Sequence, residues 1–202
     1  VSHPREFSVG LQLRLRLEEV LKYLCDMEPI PLHWAVAHAE EFARAWATSR
    51  NPNDLLRIAS RATPHAEYAR AALAIAKAAL PYAANAHAHE KAWIAIDIAS
   101  RYAAGDTSVG IWDVRVAAED ASVAADGSFE DLISRHATRT ASEAALVVST
   151  TVGEELDEAI DTSIAAAGRT HETLSLPALA DIVRAQLAHR DILADVVNAN
   201  RG

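Results

Sequence analysis

Between Tyr68 and Leu80 the chain reads "YARAALAIAKAAL", and stretches of the same alanine-dense kind recur along most of the sequence. This feature constrains the fold more than any other. Alanine loses no side-chain entropy when the backbone coils, and its small side chain lets helices approach closely. Half the residues are apolar but only 5% are aromatic, so the expected core is built from small side chains on helices. Leu11, Leu13, Leu15 and Leu17 alternate like a strand, but "EEVLKYL" continues that stretch as a helix, so no segment carries a convincing strand pattern. The expected fold class is all-α, an antiparallel helical bundle or helical-hairpin array of about eight helices, in a single domain covering residues 1–202.

Proline, glycine and polar caps divide the chain. In "SVGLQLRLRLEEVLKYLCDM" Leu13, Leu17, Leu21 and Leu24 recur at helical spacing. Pro31 then opens "PLHWAVAHAEEFARAWATS", where its missing N–H has no intrahelical role. Asn51 before Pro52 and Thr63 before Pro64 repeat that start signal. Pro81 ends or kinks the third such helix. "HEKAWIAIDIASRYAAG" follows, closed by Gly105, which can take a left-handed conformation. Its stripe of Ala92, Ile96, Ala99 and Ala103, widened by Trp93, Ile94 and Ile98, marks it as a central helix. A further helix ends near Gly127, and Ser128 with an acidic residue three positions on resembles a capping-box start. The helical stretch from there towards Gly168 has its expected break at Gly153, and "PALADIVRAQLAHRDILADVVNA" is the final helix. "IASR" occurs at Ile58–Arg61 and again at Ile98–Arg101, an echo that would suit two related hairpins, with Phe42 matched to Tyr82.

Charge and cysteine content narrow the function classes. Nineteen Lys and Arg against 28 Asp and Glu give a formal charge of −9, a field that repels phosphate backbones, so no nucleic-acid partner is expected. Scarce lysine beside abundant alanine and arginine points to a GC-rich bacterial genome. No uncharged apolar run approaches the ~18 residues of a membrane span, and "VSHPREFSVG" lacks the apolar core of a secretory signal. Cys25 stands alone, which excludes an intrachain disulfide and a cysteine zinc site and suits a reducing cytoplasm. The negative end of the first helix would keep its thiol unreactive.

Two "H-x-x-E" spacings offer chemistry. His38 with Glu41, and His87 with Glu90, each share a helix face, and two such faces meeting in the core could hold a divalent metal or supply an acid and a base. Against this, the E-x-x-H of di-iron bundles is absent, and His87 and Glu90 fall where a helix's first turn favours a carboxylate. The reading preferred is polar groups at helix starts, with no metal and no cofactor. His65 and Glu67 behind Pro64 read alike. His136, in line with Leu132, Ile133 and Thr140, reads as a core histidine. "HRD" at His189–Asp191 lacks the glycine-rich loop and D-F-G of a kinase. Glu154, Asp157, Glu158 and Asp161 share one face and form a candidate docking surface for a basic partner. Trp34, Trp46, Trp93 and Trp112 are expected as core anchors, an exposed one beside a pocket marking a partner site instead.

The segment "YARAALAIAKAALPYAANAHAHEKAWIAIDIASRYAAGDTSVGIWDVRVAAEDASVAA", Tyr68 to Ala125, resembles the alanine-rich helical immunity proteins of bacterial polymorphic toxin systems, of the immunity-five-like kind. The resemblance lies in an alanine-rich helix ending at Leu80–Pro81, a helix closing at "RYAAGD", and a helix with Arg115 followed by "AAEDA". It implies a non-catalytic protein that neutralises a cognate toxin by stoichiometric binding. The alternative is an all-α enzyme or small-molecule binder with an interhelical pocket using His38, Glu41, His87 and Glu90. Homo-oligomerisation is compatible with either.

Overall fold

Polar caps and proline act as the sequence predicts at Asn51, whose side-chain oxygen accepts from the Asn53 amide at 3.1 Å as Pro52 begins a helix. The computed structural model describes residues 39–62, 65–150, 154–187 and 192. Their regular structure includes eight α-helices: α1 (Ala39–Thr48), α2 (Pro52–Ala62), α3 (His65–Ala79), α4 (Ala86–Ala103), α5 (Ile111–Asp126), α6 (Leu132–Ser149), α7 (Glu154–Thr170) and α8 (Leu176–Gln186). Short 3-10 turns lie at Leu80–Tyr82, around Pro81, and at Glu172–Leu174. The all-α bundle is therefore the fold. The leucine-rich first helix with Cys25, and Pro31, Trp34, His38, Thr63, Pro64, Gly153 and His189–Asp191, lie outside the described residues.

The centre is α6, and α4, with its isoleucine stripe, packs on it. Helices α3, α4, α5 and α7 all pack against α6, and around it α5 meets α4, α4 meets α3 and α3 meets α7. The ring is open between α5 and α7, which have no substantial packing on each other. Helices α2 and α8 form an outer layer on α3 and α7. Neighbours run antiparallel: Ser142 and Arg139 of α6 reach the Ala118 carbonyl and Ser122 of α5, while Ser163 of α7 reaches the Thr140 carbonyl.

Alanines Ala137, Ala141, Ala144 and Ala145 are fully buried on α6, as are Ala71, Ala72 and Ala76 on α3. Between them α6 buries hydroxyls that read as surface residues. Each finds an acceptor close by: Thr138 donates to the Ser134 carbonyl and Thr140 to the His136 carbonyl, both at 2.8 Å. Buried hydroxyls satisfied this way cost little desolvation. They add no bulk either, so four helices can close on one.

Other boundaries refine the sequence reading. Gly105, at φ +80°, ends α4 in the left-handed region, as expected. Ser128 does not open a helix; it is buried and donates to the Ala124 carbonyl, and Asp131 caps α6 by accepting the Ser134 amide at 2.9 Å. α8 stops at Gln186 because Leu187 is extended, where a longer helix was expected. The "IASR" echo has no structural counterpart: Phe42 sits in an α-helix and Tyr82 in a 3-10 turn, and Arg61 and Arg101 hold different partners. Among the described residues no helix is long and apolar enough to cross a membrane.

Candidate functional site: a charge-split groove over α6

The opening between α5 and α7 leaves one strip of α6 uncovered. Residues spaced three and four apart on α6, Arg135, Arg139, Ser142, Glu143, Leu146 and Thr150 at its end, form the floor of a groove. Two concavities of about 540 and 600 Å3 make up this groove, and Arg139 and Thr162 line both. The volumes lie within the range of small-molecule and peptide-anchor sites.

Charge is divided along its length. At the start of α6 the walls carry Arg135, Arg139 and Arg169 together with Asp126, Asp161 and His136, three guanidiniums to two carboxylates. Burial, then the Arg169 and Arg135 guanidiniums, hold the His136 imidazole below its ordinary value. At the other end stand Glu119, Glu143, Glu155 and Glu158, with Trp112 and Arg115 on the α5 rim. Glu143 is almost fully buried and pairs with Arg139 at 3.1 Å. Burial pushes its carboxyl above the ordinary range despite Arg139, and Glu158 adds to the push.

Trp112 is 72% exposed. Val116 and Val123, four and eleven positions on, project from the same outer face of α5 and are exposed as well. The tryptophan expectation holds for Trp46, buried in α1, and fails for Trp93 and Trp112. Alanine in the closed helix contacts leaves no space for an indole there, so both rings stay at the surface.

The predicted docking face on α7 is split. Asp157 and Asp161 turn to α2, where Arg61 meets Asp157 at 3.1 Å and Arg57 meets Asp161 at 2.5 Å. Burial raises Asp161 above its usual range in spite of Arg57. Asp157 therefore serves the outer layer, Asp161 both pairs with Arg57 and lines the arginine end of the groove, Glu154 is exposed, and Glu158 faces the other end of the groove.

His38 lies outside the described residues, and the other three candidate residues are not brought together. Glu41 on α1 is exposed, as are His87 and Glu90 on α4, and α1 and α4 share no substantial packing. Among the described residues no three His, Cys, Asp or Glu side chains are placed to hold a metal. Asn85 caps α4, accepting the Ala88 amide at 3.1 Å, which puts His87 in the first turn and Glu90 beyond it. His136 is not a core histidine, and Leu132 and Ile133 beside it are exposed. His65 is half-buried edge-on to Tyr68, ring centroids 5.1 Å apart, and burial lowers its pKa. Burial also pushes the Tyr68 phenol up to about 12.

No family model, curated protein or solved structure matches this chain. The residues behind the sequence resemblance have local duties. In "RYAAGD" Arg101 Nε donates to Asp106 at 2.9 Å and its Nη2 to Ser108 at 2.9 Å, bracing the turn after Gly105. Hydrogen bonds from Ser108 hold Asp106 down at about 2. In "AAEDA" Asp120 takes Lys91 of α4 at 2.7 Å. Arg115, by contrast, faces the groove.

The arginines and Trp112 were not singled out together from sequence. Two signals were present: Arg135 and Arg139 at i, i+4, and an apolar outer stripe on α5. Their meaning depends on the gap between α5 and α7.

Proposed function

We propose that this chain is a non-catalytic binding protein of the immunity kind, neutralising a cognate protein by occupying its surface with α5, α7 and the groove between them. The observation that carries the reading is Trp112, a large amphipathic ring left 72% exposed on the rim of a concave, charged groove. Tryptophan in such a place is the residue type that most often anchors a protein interface. Val116 and Val123 extend the apolar strip beside it. Glu119, Glu154, Glu155 and Glu158 give this end of the face a negative field, which draws a basic partner and speeds its approach. The partner is thus a protein with a basic, aromatic-accepting surface, and a toxin is the class the resemblance implies.

The test is calorimetry against the product of the adjacent gene, purified separately. The expected result is one-to-one association whose rate falls with salt, and Glu158→Arg slowing association at least about tenfold. Failure of that product to bind, or association indifferent to Glu158→Arg and to salt, overturns the reading.

A further inference from the structure

We infer that the Arg135, Arg139 and Arg169 end of the groove is a binding site for a small organic oxyanion, a phosphate or carboxylate group on a compact apolar body. Three guanidiniums converging on one concavity is unusual in a chain of formal charge −9. Asp126 and Asp161 line the same concavity and offset part of that charge, leaving three guanidiniums to two carboxylates. Asp161 is also engaged by Arg57 at 2.5 Å. Asp126 is shared loosely, 3.5 Å from Arg135 and 4.0 Å from Arg139. Arg169 is exposed and has no ion pair or hydrogen bond among the described residues.

Arg139 is already oriented. Its Nη1 donates to Ser122 at 2.7 Å and its Nε lies 3.1 Å from Glu143, which fixes the plane of the guanidinium on the groove floor. A guanidinium held in this way loses little freedom when it takes an oxyanion through paired N–H groups. Thr162 supplies a hydroxyl on the opposite wall, and Ala165 and Ala166 give an apolar surface for the body of the ligand. The concavity of about 540 Å3 admits a metabolite-sized molecule. His136, also in the lining, can offer a ring nitrogen for one further hydrogen bond. The anion end and the Trp112 end of the groove share Arg139 and Thr162, and binding of the anion is read on the isolated chain.

The experiment titrates the isolated chain with inorganic phosphate, pyrophosphate and succinate, following the His136 ring resonances by NMR and the heat by calorimetry. Saturable binding of at least one anion is expected, with His136 shifted and its titration moved upward by the bound charge. Arg169→Ala, a change on an exposed helix surface, should weaken binding at least tenfold, and Glu155→Ala at the other end should leave it unchanged. Preference for pyrophosphate assigns a phosphate ligand, and preference for succinate a carboxylate. No saturable binding of any of the three, or equal binding by Arg169→Ala, overturns the inference. Because no protein partner is present, neither result bears on the immunity reading.

Discussion

Arg61 of α2 and Asp157 of α7 lie 3.1 Å apart across the boundary between the inner ring and the outer layer, with the arginine side chain only 12% exposed. One turn away Arg57 meets Asp161, so the two pairs run antiparallel and pin α2 to the ring. A double-mutant cycle of Arg61→Ala and Asp157→Ala should give a coupling of about 1–2 kcal/mol, between the values for exposed and buried pairs. Additive effects in chemical denaturation would show that the pair contributes nothing.

The closeness of the ring around α6 makes a second prediction. Ala141 and Ala144 are fully buried, and a leucine at either must displace a neighbouring helix. Ala141→Leu should destabilise by about 1–3 kcal/mol. Ala165→Leu, on the exposed face of α7, should change stability by less than about 0.5 kcal/mol. Equal effects at the two positions would mean that small size is not what closes the core.

Much of this architecture was legible from sequence because punctuation is local. Asn51 with Pro52 starts a helix and Gly105 stops one through the chemistry of their own backbones. The central helix was not legible. Ser134, Thr138, Thr140 and Ser142 make α6 read as half-polar, while their hydroxyls are consumed by carbonyls within α6 or on α5 and by neighbouring groups. The fate of Asp157 and Asp161 was hidden for another reason: their partners lie on α2, far away in the chain. The groove itself is a gap in a ring, and a gap has no sequence signature until the helices bounding it are placed.

Gly105 offers a clean backbone measurement. A Cβ built there meets nothing within 4 Å, so the only penalty for a side chain is the φ of +80°. Gly105→Ala should cost about 1 kcal/mol, and Gly105→Asn less, since asparagine visits that region more readily. Equal stability of glycine and alanine variants in thermal unfolding would contradict the assigned conformation.

Glu143 gives a pH dependence with a definite sign. Its folded pKa is raised, chiefly by burial, so its contribution to stability is fully present below the unfolded value and is lost as pH rises through the folded one. Glu143→Gln, which keeps the uncharged shape, should match the parent near pH 4 and be the more stable of the two at pH 8. A stability difference that stays constant with pH, or reverses, would show that Arg139 outweighs burial at this site.

The most direct test of the account compares two exposed tryptophans. Trp112 stands on the groove rim and Trp93 on α4, in the closed part of the ring. With the purified adjacent-gene product as titrant, Trp112→Ala should raise the dissociation constant at least about tenfold, a loss of about 1.4 kcal/mol, while Trp93→Ala leaves it unchanged. Undiminished affinity in Trp112→Ala, or a larger loss in Trp93→Ala, would place the binding face elsewhere.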